Sequence, residues 1–321
     1  MSVHAVAREH AHLAWDNSLP PVLTVESGAE ISFDCLDASN GQITSSSTTA
    51  NLSALDFSRL DQANGPVFVK NAKPGDVLQV EVLSLQPADW GWTAIIPGFG
   101  LLHDEFPQPA LRVWSINHAK RVASTILADG KVVEVVIRPF MGMMGVARGE
   151  LGAFSTIPPY KTGGNIDTKH LTEGSTLFLP IEVEGALFSL GDGHAAQGDG
   201  EVCGTAIETP MRATVRLTVI PASSKPNVST PHFTSTAAPE TLSGAHRLTS
   251  SYTTTGVGPD LHQCARDATR AMIAHLAQMH HISRDDAYML CSVLGDLRIH
   301  EIVDMPNYVV GMMMPEKPIS R

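Results

Sequence analysis

The chain has 321 residues, 43% apolar and 17% charged, a composition that buries a large core in one compound domain or two closely associated ones. Its formal net charge of −11 argues against nucleic acid or an anionic membrane surface as a partner and leaves a small neutral or cationic molecule. Cys35, Cys203, Cys264 and Cys291 lack CxxC spacing and signal neither a disulfide framework nor a cysteine zinc site, so a cytoplasmic setting is expected; MSVHAVAREHAHLAWDNS has no apolar stretch of signal-peptide length, and no run reaches the roughly 18 apolar residues of a membrane span.

Strands are predicted first. In ISFDC, Ile31, Phe33 and Cys35 alternate with Ser32 and Asp34, and KPGDVLQVEVLSL opens on a Pro-Gly turn before placing Leu78, Val80 and Val82 on one face. KVVEVVIRPF and TLFLPIEVEG are further strand candidates, with Met141, Met143 and Met144 of PFMGMMGVA between them expected to fill core. In ATVRLTVIP, Val215, Leu217 and Val219 alternate with Thr214, Arg216 and Thr218. SKPNVSTPHFTSTAAPETLSG, rich in Ser, Thr and Pro, is expected to be an irregular crossover. GPDLHQCARDATRAMIAHLAQMHH then spaces Leu261, Ala265, Ala268, Met272 and Leu276 as an amphipathic helix, with His280 and His281 at its end. A second helix is predicted at SRDDAYMLCSVLGD, with Ser283 and Asp286 in a capping pattern and Ala287, Leu290, Cys291 and Leu294 as its stripe. The expected class is α+β, mostly β: a β-sandwich-like body over residues 1–220 and a smaller lobe over 221–321 that carries the two C-terminal helices.

Groups able to bind a metal or move a proton crowd into SLGDGHAAQGDGEVCGTAIE, Ser189 to Glu208. Asp192 and His194 are one residue apart, so on an extended segment both side chains face the same way, and both are suitable zinc ligands. Gly191, Gly193, Gly198 and Gly200 permit sharp turns. A third ligand is sought in KTGGNIDTKH, where Asp167 is the preferred carboxylate and Asn165 and Lys169 are candidate partners for an oxyanion. The competing structural reading makes the Gly-Asp-Gly elements plain turns or a structural calcium clip, His170 a packing residue and Cys203 a small buried apolar one.

The order of motifs resembles the acetamidase/formamidase family along nearly the whole chain: LPPVLTVESGAEISFD, GPVFVKNAKPGDVLQVEV, GFGLLHDEF, FMGMMGVA, STIPPYKTGGNID and GSTLFLPIEVEGALFSLGDGHAAQGDGEVCGTAIE. One departure is Asn71 in VKNAKPGD, where the family pattern has glycine; Asn also tolerates a left-handed backbone. The resemblance implies hydrolysis of a short aliphatic amide such as formamide or acetamide to a carboxylic acid and ammonia, by a homo-oligomer. It also implies that the smaller lobe is α/β, and a site lined by Asn165, Asp167, Asp192, His194, Gln197 and Glu201. From their chemistry, Asp167, Asp192 and His194 are expected to hold a divalent metal, zinc first and calcium or manganese next. Glu201 then serves as general acid/base, Asn165 and Lys169 stabilise the oxyanion, and Gly164 and Gln197 bind substrate, with Trp90, Trp92, Phe140 and Met141 as candidate pocket wall. Two alternatives stand beside this reading: a Cys203-dependent amidase with Glu201 as base, and a non-catalytic module that binds calcium or a small polar ligand.

Overall fold

The computed structural model describes residues 3–127, 129–224, 228–235, 250–284, 287, 288, 290, 291 and 295–315. Two large sheets dominate. The nine-stranded sheet runs, edge to edge, through His4–Val6, Ala29–Cys35, Met211–Ile220, Val77–Pro87, Thr176–Pro180, His232–Ser235, Ser251–Gly258, Tyr308–Pro315 and Asp296–Glu301. Segments from both sides of residue 220 therefore share one hydrogen-bonded sheet. The seven-stranded sheet runs through Pro159–Tyr160, Gly163–Asn165, Phe140–Val146, Phe188–His194, Ala63–Val69 and Ala11–His12, with Leu23–Val25 joined in parallel to Ala63–Val69.

The alternation of the sequence explains how these sheets meet. Ile31, Phe33, Val80, Val82, Val215 and Leu217 project from the nine-stranded sheet into the same core as Val67, Val146, Phe188 and Leu190 of the other, and Phe33 meets Phe188 edge-on at 6.0 Å. This makes a mostly β, sandwich-like body of the α+β class. Fully buried Met141 and Met144 pack in this core, as their apolar run implies. Asn71 adopts φ 64°, the left-handed angle that its place before the Pro-Gly turn requires.

The helix Leu261–His280 is capped by Asp260, whose carboxylate accepts from the Gln263 amide at 2.7 Å, and ends at His281 in a left-handed conformation. Its Ala268, Met272 and Leu276 pack against Met312 and Met314 of the large sheet. Residues 284, 287, 288, 290 and 291 are helical, with Ala287 and Cys291 buried; Asp286 and Leu294 of the predicted second helix lie outside the described residues. The expected crossover differs in part. His232–Ser235 is a strand between Thr176–Pro180 and Ser251–Gly258, because Phe233 is buried in the main core, while 225–227 and 236–249 lie outside the described residues. No helix among the described residues is long and apolar enough to cross a membrane.

A separate four-stranded sheet, Trp90–Ile95, Ala110–Asn117, Val122–Ile126 and Val132–Val136, leans on the body through Trp92, whose backbone exchanges hydrogen bonds with Glu208 at 2.9 and 2.8 Å. That junction sets one wall of the site.

Candidate active site

Asp192 and His194 sit at the end of Phe188–His194, buried between neighbouring strands. The first Gly-Asp-Gly is therefore strand, not turn, and its glycines serve close packing. A Cβ on Gly191 would collide with the Gln62 carbonyl, and one on Gly193 would press on Met211 and the Thr209 carbonyl. The second, Gly198-Asp199-Gly200, does lie in a loop, with Gly200 at φ 88°.

The ladder to Phe140–Val146 is interrupted opposite Asp192: Met141 pairs with Gly193 and Met143 with Gly191, while the Gly142 carbonyl accepts from the amides of Ile166 and Asp167 at 3.0 and 3.1 Å. Gly142 is the floor of the site, since a Cβ there would run into Asp192 Oδ2 and Asp167 Oδ1. Gly142→Ala is expected to cost about 1–3 kcal/mol of stability and to displace both carboxylates. Denaturant unfolding and a turnover assay check this, and unchanged values in both contradict it. Asp167, Asp192 and Glu201 all hold left-handed backbone angles, at φ 40°, 54° and 45°. Such angles cost a non-glycine residue about 1–3 kcal/mol and concentrate at functional sites.

His194 is the centre. Gln197 donates through Nε2 to the Asp167 carbonyl at 2.8 Å, so its Oε1, 2.9 Å from His194 Nδ1, must accept the imidazole proton. Nε2 is thereby left to face Asp192 Oδ2 and Glu208 Oε2, both at 2.9 Å, with Glu201 Oε1 at 4.0 Å. Glu208 is steadied by the Ala206 amide, which donates to Oε1 at 2.6 Å. Gly200 donates to the His300 carbonyl at 2.9 Å and so ties the Glu201 loop to the last strands of the large sheet. Those strands lead into Asp304, which accepts from Asn165 Nδ2 at 2.8 Å.

Burial of this many acids in one place raises the pKa values of most of them; at Asp192 burial is outweighed by the neighbouring His194, and that carboxyl is lowered. Desolvation pushes Glu208 and Glu301 each up to about 8 and Asp167 up to about 6. Burial, followed by the neighbouring Asp167 charge, lifts Glu201 and Asp304 well above the ordinary carboxyl range. Burial opposes the charge on His194, yet Asp192 and Glu208 outweigh it and raise the imidazole well above 6.5. In the unfolded chain carboxyls ionise near about pH 4, so above that pH the folded protein holds protons that the unfolded chain has released. Stability contributed in this way is present at low pH and is lost as pH rises toward 8. His194 acts in the same direction. His170 and His300, depressed by burial to about 3 and about 4, act oppositely, but only below their ordinary 6.5. We therefore expect Tm of chelator-treated protein to fall between pH 6.5 and 8, and added zinc, replacing the protons, to flatten that slope. Thermal scans test it; a Tm that rises with pH under chelation contradicts it.

A cavity of about 250 Å³ opens on this cluster, with Asp61, Asn165, Asp192, Glu201, Glu208 and Asp304 among its lining. Trp92 lines it too, whereas Trp90 lines a separate open groove, Phe140 packs edge-on against the His194 ring at 5.0 Å, and Met141 lies in the main core. Further predicted residues are placed elsewhere. Lys169 pairs with Asp199 at 3.0 Å and lines a different cavity with Gln197, because the second Gly-Asp-Gly loop presents that carboxylate to it. Gly164, at φ 101°, lies in a strand against the Trp15 ring. Cys203 directs its thiol toward the carbonyls of Ala94 and Thr205 and does not line the cavity. Asp61, Glu208, Glu301 and Asp304 carry no motif that singles them out; Glu208 ends the glycine-rich stretch, and the other three reach the site only through the tertiary fold.

The acetamidase/formamidase family model matches residues 2–151 and 148–319, nearly the whole chain. The chain belongs to the acetamidase/formamidase family. It is 30% identical over 252 residues to an acetamidase from Mycolicibacterium smegmatis, covering 60% of this chain and 62% of that protein, so the matched part spans under two thirds of that relative. It is 25% identical over 365 aligned positions to a formamidase from Methylophilus methylotrophus, covering 95% and 88%. The crystal structure of an acetamidase from Bacillus halodurans superposes with a TM-score of 0.83 at 27% identity, covering 97% and 96%.

This family member's residues also fit a divalent cation. Asp192, His194 and Glu208 offer ligand atoms within 4.8 Å of one another, and Asp167, His194 and Glu201 form an overlapping set. Asp192 Oδ1 and both Asp167 oxygens are buried without a hydrogen-bond partner. With Nδ1 committed to Gln197, only Nε2 can serve as a ligand, and it faces Asp192 and Glu208 rather than Asp167. A buried carboxylate cluster of this kind is stabilised by positive charge at its centre.

Proposed function

We propose that the protein is an amidohydrolase that cleaves the carbon-nitrogen bond of linear amides to a carboxylic acid and ammonia. The observation that carries this reading is the convergence of Glu201, Asp192, Glu208, Asp304 and Asn165 around His194 in one cavity. Family membership supports it, as do relatives named acetamidase and formamidase.

Asp192, His194 and Glu208 would hold a divalent cation, with zinc the first candidate for a histidine-carboxylate set and manganese or calcium next. Such an ion supplies polarisation of the amide carbonyl and acidifies water. The chain's own groups do the rest. Glu201 accepts a proton from the attacking water and returns it to the leaving nitrogen, so that ammonia rather than its anion departs; burial and the neighbouring Asp167 raise its carboxyl, which strengthens it as a base. Asn165 spends its Nδ2 on Asp304, which leaves its Oδ1, buried and unpartnered, to accept from the substrate's NH2. Burial and the neighbouring Asp167, Glu301 and Glu201 favour the neutral form of Asp304, which in that form would donate to the developing oxyanion in the role first sought for Lys169. Gln197 holds the His194 tautomer instead of touching substrate.

Ammonia release from formamide and acetamide, measured on chelator-treated protein before and after adding zinc, manganese or calcium, tests the reading. Cation-dependent ammonia is the expected result, and no ammonia from any linear amide overturns it.

A further inference from the structure

Cleavage of the amide engages only the acidic part of the cavity. The rest is apolar: Leu55, Phe57, Leu60, Trp92, Ile96 and Phe99 line it. They come from two separate segments, the 3-10 turns at Thr49–Ala54 and Phe57–Arg59 with their flanks, and the end of Trp90–Ile95 with the loop beyond it. Phe57 is 56% exposed, and Leu55, Leu60 and Phe99 are half-buried, so this wall presents apolar surface that an occupant would remove from water.

Volume points the same way. Even at the roughly 30 Å³ that a whole water takes in the liquid for each heavy atom, formamide and acetamide, with three and four, fill at most about 90–120 Å³. The cavity measures about 250 Å³, room for several more carbons. No Lys, Arg or His side chain lines it among the described residues, while five carboxyl groups do, so the wall offers an anionic substituent no side-chain counter-charge.

We propose that this site takes primary amides bearing an apolar acyl group of about four to six carbons in preference to formamide or acetamide, a specificity that rests on the amidase reading above. The amide sits against Glu201, Asn165 and Asp304, and the acyl chain runs along Phe57, Leu60 and Phe99. Acyl groups short enough to leave this wall wet gain nothing from it.

The test uses the purified full chain with its preferred cation and the straight-chain series from formamide to hexanamide, with ammonia as the readout. The expected result is a kcat/KM that rises about fourfold per added methylene from acetamide to pentanamide. Phe57→Ala, at an exposed position, is expected to lower the pentanamide-to-acetamide ratio of kcat/KM about fivefold, and Phe57→Leu to restore most of it. A kcat/KM that is highest for formamide or acetamide, with ammonia still formed, overturns this proposal and leaves the amidase reading in place. A ratio unmoved by Phe57→Ala also overturns it. Absence of ammonia from every amide in the series overturns the amidase reading, and this proposal with it.

Discussion

Replacing Glu201 by Gln is expected to lower ammonia release about 100- to 10,000-fold, the range over which a positioned general acid/base contributes. Glutamine keeps the shape and the buried fit of a side chain only 7% exposed, so folding should be preserved. Nε2 of His194 lies 4.0 Å from Glu201 but 2.9 Å from Asp192 and Glu208, so cation content should also hold. Turnover and metal content measured on the same preparation separate the outcomes. Normal turnover removes Glu201 from the mechanism. Lost turnover with a parallel loss of metal moves Glu201 into the ligand set with Asp167 and His194.

Glu208→Ala is expected to abolish detectable turnover and to weaken cation binding by more than the roughly 10- to 100-fold typical of an outer partner, since it removes a proposed ligand. Its effect on the metal-free fold should have the opposite sign. Glu208 is fully buried beside Asp192, and its carboxyl is pushed up to about 8, chiefly by burial. Removing it lifts a desolvation cost and part of the like-charge crowding, against which stand the lost attraction to His194 and the Ala206 amide left without its acceptor. At pH 8 the chelated variant should therefore melt above the chelated parent while binding less zinc, the pattern of a site maintained at the expense of stability. Zinc titration and thermal scans check both halves; unchanged zinc affinity would return the third ligand to Asp167.

Much of the site was legible in the chain itself. The spacing of Asp192 and His194 in an extended segment places both side chains on one face, and in the strand Phe188–His194 their polar atoms lie 2.9 Å apart. The pairing of KTGGNIDTKH with the glycine-rich stretch also appears, through Gln197 and the Asp167 carbonyl. Less legible was what the glycines are for. Gly191 and Gly193 resemble turn residues in sequence, but whether a missing side chain frees a turn or admits a neighbouring strand depends on what lies beside it. Gly142 passed as part of a methionine-rich core strand for the same reason.

Alternating hydrophobicity, helical spacing and motif order determined the mostly β class, the strands that face the core, the C-terminal helix and the neighbourhood of the chemistry, because these depend on periodicities that a linear chain carries intact. Which acids would meet was decided by tertiary structure alone. Glu208 is placed by the backbone of Trp92, and Asp304 reaches Asn165 across 139 residues of chain. Lys169, close in sequence to Asp167, turns instead to Asp199. A carboxylate's role depends on which charges surround it after burial, and that surrounding comes into being only when distant strands close on one another.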